Sequence, residues 1–408
     1  MSNRYQSLPF LNGVYIGVDA VPGSTLIVDG PYCVSTKAEM QHCHNLASRV
    51  CRPLGRPAVV HTAGSVPTED VAWLASDRVA VVESVFQEVL SWPESRAVYA
   101  TSFDFHELTA FPLKDICLRF SRLGGKPVRF IPSASLGGNW LDGYARFCDA
   151  LARGIHLPPA RPEPRTAAIV GYLFDRDEPD RRGDLKELER LLAGLGWKTA
   201  SVWLSGKGEE GLAEVRRASV IVSLPYARQA ARTLGRRLRR RVVEADLPMG
   251  LKGTEDFLLR LGRAFGCEAA ASRLAGREAR KAVADTQAHV QRFLGGRSAE
   301  LLNDDPAETR ALAGLCAELG LAVCDPASTN GDDEGDDRAM IGFGSSPCSS
   351  ECFINVTIGY PDYVHHPVLD RPLLGYAGFR HLVDRLCRDV LSHEAELGGR
   401  PRASPDGR

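Results

Sequence analysis

Short apolar runs alternate with helically spaced apolar positions along most of the chain, and the pattern is clearest from Ala167 onward. Ala167–Leu173 (AAIVGYL) is apolar on both faces, as a strand buried inside a parallel sheet requires. Leu185, Leu188, Leu191 and Leu192 then recur at helical intervals and predict a helix over Asp184–Leu195, ended by Gly194-Leu195-Gly196. Trp197–Leu204, Ala218–Leu224 and Arg241–Ala245 read as further strands. Glu209–Arg217, Arg228 to about Leu238, and Gly253–Phe265 read as the helices between and after them.

The same alternation precedes and follows this stretch. Ser24–Val28, Ala58–His61, Arg96–Thr101 and Pro127–Ile131 are strand candidates. Thr68–Ala75, Ser84–Leu90, Lys114–Leu123 and Gly143–Ala152 are helix candidates. Leu157–Arg165 (LPPARPEPR) holds four prolines in nine residues, which no helix interior or central strand accepts, and reads as a stiff extended linker. A long helix is expected from about Glu268 to Phe293. Beyond it come a helix over Ala307–Leu319, strands at Leu321–Cys324 and Ala339–Gly342, and a closing helical region at Leu373–Ser392. The acidic run Gly331–Asp337 is expected to be a solvated loop and the tail from Gly398 to be disordered. Strands that alternate with helices of this length imply parallel sheets with right-handed crossovers. The expected architecture is therefore α/β, with three Rossmann-like blocks: residues 1–156, then 167–267 after the linker at 157–166, then a shortened 296–397 reached through a connecting helix at 268–295.

Charge and composition narrow the function. Fifty basic residues against 51 acidic ones give a net charge of −1, so there is no general attraction to nucleic acid or to an anionic membrane. No run approaches the roughly 18 apolar residues of a membrane span, and MSNRYQSLPFLNG lacks the pattern of a secretory signal, so a cytoplasmic protein is expected. The eleven cysteines are scattered, form no CxxC pair and should be mostly reduced, each behaving as a small apolar residue by default. Neither GxGxxG nor GxxxxGK[ST] follows any strand, and no GxSxG occurs, so dinucleotide, P-loop and serine-hydrolase chemistry find no support.

Three places could carry chemistry. Asp29-Gly30-Pro31-Tyr32-Cys33 follows the first strand, where a Gly30-Pro31 turn holds the next side chains in the crevice that binds ligands in parallel sheets. Cys33 there is placed to offer a thiolate to a metal, and since a cluster takes four ligands, others would have to come from a second chain. His42-Cys43-His44 could put at most two side chains toward one ion if Thr36–Arg49 is helical, and is read as structural. Tyr360–Pro367 (YPDYVHHP) is rich in groups that ligate or protonate, with His365 as its candidate. The arginine run Arg236, Arg237, Arg239, Arg240 and Arg241 is read as a solvated helix end rather than a phosphate or acidic-partner patch.

Four pieces in order carry a resemblance. DGPYC is similar to the HGPxGC motif of nitrogenase component 1 subunits and their relatives, among them protochlorophyllide reductase and the cofactor-assembly scaffold. Asp29 stands for the histidine, and one residue is missing before the cysteine. Gly137–Tyr144 (GGNWLDGY) resembles the family's approach to a helix, and Leu247–Gly250 with Gly253-Thr254 its P-x-G-x-x-x-T opening. Leu369–Phe379 (LDRPLLGYAGF) resembles the terminal p-x-lGyxGf stretch, the most specific of the four.

The resemblance implies three Rossmann-like blocks, a dimer or heterotetramer, and an iron–sulfur cluster, 4Fe-4S by family habit, at a subunit interface. It implies two partners: a paralogous subunit or second copy of the chain, and an Fe-protein-like ATPase that delivers electrons. By the same likeness Cys33 is the one remaining cysteine of three, with Gly30 and Pro31 shaping its turn. Asp104 falls near the third cysteine's position as a candidate carboxylate ligand. Leu224-Pro225-Tyr226 stands where nitrogenase has a cofactor-holding cysteine, which argues against a molybdenum–iron cofactor held that way. His365 lies near the family's cofactor histidine. The reductase subunit is the leading reading. A non-catalytic metallocofactor scaffold or degenerate support subunit is the first alternative, and an unrelated α/β small-molecule binding protein the second.

Overall fold

A computed structural model describes residues 8–30, 58–62, 78–103, 110–134, 137–324, 340–345, 353–362 and 365–396. The expected helices at Thr68–Ala75 and Thr36–Arg49, the acidic run Gly331–Asp337 and the tail from Gly398 lie outside them.

Twelve strands among the described residues form three four-stranded sheets, all parallel. The first contains β1 (Ser24–Asp29), β2 (Val59–His61), β3 (Ala97–Ser102) and β4 (Val128–Phe130), in the order β2-β1-β3-β4. The second, with β5 (Thr166–Val170), β6 (Lys198–Val202), β7 (Val220–Ser223) and β8 (Arg241–Glu244), is ordered β6-β5-β7-β8. In the third, β9 (Ser298–Leu302), β10 (Ala322–Val323), β11 (Met340–Gly344) and β12 (Phe353–Thr357) are ordered β10-β9-β11-β12. Each sheet thus repeats one topology. Its first strand lies beside its third, with the chain winding outward on either side, and this switch point is where parallel sheets bind ligands. The expected three-block α/β architecture is what the chain adopts.

Helices connect the strands. They are α1 (Phe10–Asp19), α2 (Arg78–Ser91), α3 (Leu113–Leu123), α4 (Trp140–Gly154), α5 (Pro179–Gly194) and α6 (Glu209–Ala213). After these come α7 (Arg228–Leu238), α8 (Gly250–Phe265), α9 (Glu268–His289), α10 (Pro306–Leu319) and α11 (Gly375–Glu396). None of the described helices is long and apolar enough to cross a membrane.

Several boundaries differ from the sequence reading. β5 stops at Val170 rather than Leu173, because Gly171 takes φ +95° and turns the chain out of the sheet. The helix expected over Glu209–Arg217 is α6 plus a 3-10 turn at Glu214–Arg217. The long helix ends at His289 and widens into a π turn, Val290–Leu294, short of a straight run to Phe293. α1, β9 and β12 were not foreseen.

The chain divides into two compact units. One holds the described residues up to Glu178 together with Lys198–Glu244, and the other Pro179–Trp197 and the described residues from Ala245 on. In the first unit, one face of the first sheet packs Ile27, Val98, Ala100 and Val128 against Val82, Phe86 and Val89 of α2 and Ile116 and Phe120 of α3. The Phe86 and Phe120 rings stack at 5.2 Å. α1 and α4 run against each other, and α4 is started by a reciprocal cap. Asn139 Oδ1 accepts from the Leu141 and Asp142 N–H groups (3.0 and 3.2 Å), while Asp142 Oδ2 accepts from Asn139 N–H (3.0 Å). That cap explains the Gly137–Tyr144 stretch in physical terms. In the same unit, Arg129 of β4 makes a fork to Glu209 of α6, with 2.8 Å for its Nη2–Oε2 arm, and donates to the Tyr99 hydroxyl of β3 (3.0 Å). This joins the first sheet to the second. Burial drives the Tyr99 phenol far above its ordinary pKa.

Glycines set how closely α1 and α4 approach. A Cβ at Gly13 would overlap the Trp140 carbonyl, and one at Gly143 the Phe10 carbonyl. Gly13→Ala is therefore expected to lower stability by about 3 kcal/mol through overpacking. Gly314→Ala, on an exposed turn of α10 with open space around it, should raise it by about 0.5–1 kcal/mol. Urea unfolding of both variants measures the contrast.

Candidate functional site

β1 is buried along its whole length and ends in Asp29, which pairs in register with Ser102 of β3, its backbone carbonyl accepting from Phe103 N–H (2.9 Å). The Asp29 carboxylate is 0% exposed. A charge so placed needs partners, since burying an unpaired carboxylate costs far more than a fold can bear. Thr62, just past β2, donates its hydroxyl to Asp29 Oδ1 (2.8 Å), and Arg78, the first residue of α2, pairs with Oδ2. The Arg78 guanidinium also lies over the Phe111 ring, 4.1 Å from its centroid. The position that the resemblance gives to histidine thus holds one half of a buried ion pair. Gly30 follows directly, while Pro31, Cys33, Asp104 and the His42–His44 run lie outside the described residues. Sequence reasoning missed Thr62 and Arg78. The signal was present in Asp29 itself, a carboxylate closing an otherwise apolar strand, but its partners are 33 and 49 residues away.

At the second sheet's carboxyl edge, Leu224 and Tyr226 are buried, and a Cβ at Gly171 would come 2.6 Å from the Leu224 carbonyl. Beyond Gly171 a cluster missed in the sequence, Asp175-Arg176-Asp177-Glu178, carries three buried charges. Arg176 Nη1 lies 2.9 Å from Asp175 Oδ2, and its Nε lies 3.4 Å from Glu178 Oε2. Asp175 and Glu178 flank the one guanidinium, so each of these three buried charges in the loop after β5 has an opposite charge beside it.

The third sheet lies in the other unit. Its carboxyl edge carries Asn303, which donates its amide to Glu308 of α10, and the loop after β12. In that loop Asp362 is 2% exposed and accepts the His365 backbone N–H on Oδ1 (2.8 Å); the His365 Nδ1 lies 3.9 Å from Oδ2. The imidazole is partly exposed. At 3.9 Å the Asp362 carboxylate lies on the Nδ1 side of the ring but beyond hydrogen-bond distance.

The glycine-rich stretches of the resemblance acquire physical reasons in this unit. Asp184 Oδ1 of α5 accepts from the N–H groups of Leu373 (2.7 Å) and Leu374 (2.8 Å), and Glu187 Oε1 accepts from Ala377 N–H (3.3 Å). Gly375 takes φ +71°, where a side chain would run into Glu187, and donates to the Pro248 carbonyl (2.6 Å). Glu318 of α10 caps α8, with both carboxylate oxygens 2.7 Å from the Leu251 and Lys252 nitrogens. Burial nevertheless raises its pKa.

Four of the six described cysteines follow the default reading, while Cys267 and Cys324 are partly exposed. Cys117, Cys148, Cys316 and Cys387 are buried. Burial pushes the Cys117 and Cys316 thiols up to about 12 and Cys387 to about 11, and moves Cys148 in the same direction. They stay protonated near neutral pH and do not offer thiolates. Among the described residues no three His, Cys, Asp or Glu side chains converge to hold a metal ion. By themselves these residues do not make the four-ligand set of a cluster.

Three parallel four-stranded sheets with one repeated topology, connected by helices, define a three-block α/β protein. The sequence matches the family described as Nitrogenase component 1 type Oxidoreductase over residues 107–347, more than half of the chain, and the protein belongs to that family. The matched span begins after Cys33 and Asp104 and ends before His365. A solved chain described as Nitrogenase Cp1 at pH 6.5 superimposes with TM-score 0.70 and 15% identity, covering 100% of this chain and 98% of that one. Nitrogenase Cp1 at pH 5 gives TM-score 0.63 and 10% identity, covering 95% and 90%. At these identities the likeness is one of fold. No curated protein matches in sequence.

Removing one member of the Asp29–Arg78 pair should strand the other. Asp29→Ala is expected to cost about 3–5 kcal/mol, while the double variant Asp29→Leu/Arg78→Met should recover most of that loss. Chemical denaturation of the two variants checks the expectation.

Proposed function

We propose that this protein is a subunit of a nitrogenase-like two-component reductase, holding part of an iron–sulfur cluster through Cys33 at a boundary with a second chain. Family membership carries the reading: the family's clusters are metal–sulfur groups, and its members work with partner subunits and an Fe protein. In the sequence Cys33 follows Gly30 and Pro31 shortly after β1, and Asp104 comes shortly after β3 as a further candidate ligand. The remaining ligands come from a paralogous subunit or a second copy. A bound 4Fe-4S cluster would supply one-electron transfer, with electrons arriving from an ATP-dependent reductase. On the chain's own side, the Asp29–Arg78 pair anchors the end of β1, four residues before Cys33 in the sequence. His365, whose backbone N–H is held by Asp362, is the candidate group for moving a proton.

One observation favours a second reading. Asp29 replaces a histidine and is already saturated by Thr62 and Arg78, and only one of the three expected cysteines is present. That pattern suits a support subunit or cofactor scaffold in which a paralogue carries the active cluster.

Anaerobic purification with the second subunit tests both. The wild-type complex is expected to contain iron and acid-labile sulfide and to give a cluster signal in electron paramagnetic resonance. Cys33→Ser should lose most of both, and unchanged iron in that variant, or none in the wild type, would overturn the cluster reading. ATP-dependent substrate reduction with the Fe protein separates the two roles, since a scaffold binds the cluster but turns over nothing.

A further inference from the structure

Away from the sheet edges, one surface gathers positive charge. Arg232, Arg236 and Arg237 on α7, Arg239 and Arg240 just after it, and Arg153 on α4 line two adjoining concavities of about 610 and 510 Å³ that share Gln229 and Arg236. Part of the run behaves as the sequence reading expected of a helix end. Arg237 donates to the Ala152 and Ile155 carbonyls (2.5 and 3.0 Å), closing α4, and Arg240 to the Ala218 and Leu238 carbonyls (2.9 and 2.7 Å). Arg232 is paired with Glu244 and Arg153 with Asp149, each at 2.7 Å. Arg236 and Arg239 differ: both are exposed, and neither makes an ion pair among the described residues.

This arrangement is self-repelling. Arg232 and Arg236 are one helical turn apart, a spacing at which like charges destabilise a helix. The crowding occurs in a chain whose overall charge is only −1. Tethering Arg232, Arg237 and Arg240 fixes the rim and leaves two guanidinium forks free between them. An external anion would relieve the repulsion by engaging these two free forks.

We propose that this face docks an acidic protein segment whose carboxylates engage Arg236 and Arg239. Both concavities are open and shallow, so they suit a partner surface rather than an enclosed metabolite. A planar guanidinium matches a carboxylate through two parallel hydrogen bonds. No aromatic side chain lines either concavity among the described residues, so the stacking platform that single-stranded nucleic acid uses is missing. The proposal stands apart from the cluster reading and does not depend on it.

Fluorescence anisotropy of labelled poly-L-glutamate against the full chain tests it, with inorganic polyphosphate and oligo-dT of equal charge as competitors. Arg236→Glu/Arg239→Glu, and the milder Arg236→Gln/Arg239→Gln, should weaken polyglutamate binding about tenfold or more. Arg280→Glu, an exposed position on α9, should leave it unchanged, with thermal unfolding confirming that all three variants are folded. Absent binding by the wild type, or equal weakening by Arg280→Glu, overturns the proposal. Tighter binding of polyphosphate or oligo-dT than of polyglutamate overturns it in favour of a phosphate-bearing partner.

Discussion

A carboxylate taken wholly out of water must be neutralised where it sits, and Asp29 at the end of β1 is that case. Its partners fix three things together: the last residue of β1, the start of α2 through Arg78, and the residue after β2 through Thr62. The clamp closes one residue before Gly30, where the described stretch around β1 ends. The same device recurs with other residues at the other sheets. Arg176 is balanced by Asp175 and Glu178 at the second, and Asp362 receives the His365 amide at the third. Repetition of one topology puts polar groups at equivalent edges, and burial then forces each group into a partnership.

Much of the architecture was legible because buried parallel strands are short, apolar and bounded by turn residues. Arg228–Leu238 was read to both ends, and the strands of the first two sheets to within a few residues. α1 was hidden by its own composition. FLNGVYIGVD is buried almost all round, so no polar face marks a helical period, and its glycines look like turn signals although they serve close packing on α4. β12 is five residues, FINVT, with polar positions inside it and no periodicity to mark it. β5 was overextended because Tyr172 and Leu173 are apolar, whereas the backbone turns at Gly171.

The candidate site was legible only where one residue type announces a chemistry. Cys33 and His365 were singled out that way, and Cys33 lies outside the described residues; the Asp29 partnership was not, because Thr62 and Arg78 are remote from it in sequence. The glycines and prolines that carry the family likeness show the same limit. Gly375 is explained by Glu187, and Gly250 by Glu318, which its own missing side chain leaves room for. A motif of small residues therefore records where carboxylates from other helices meet the backbone.

The claim on which the functional account turns is that the Cys33 thiolate ligates iron at a boundary between two chains. Anomalous diffraction at the iron edge, from crystals of the complex grown without oxygen, addresses it directly. The account predicts an anomalous peak within bonding distance of the Cys33 sulfur, with ligands from a second chain around the same peak. A Cys33 sulfur packed among aliphatic side chains, with no iron near it and no second chain facing it, would contradict the account.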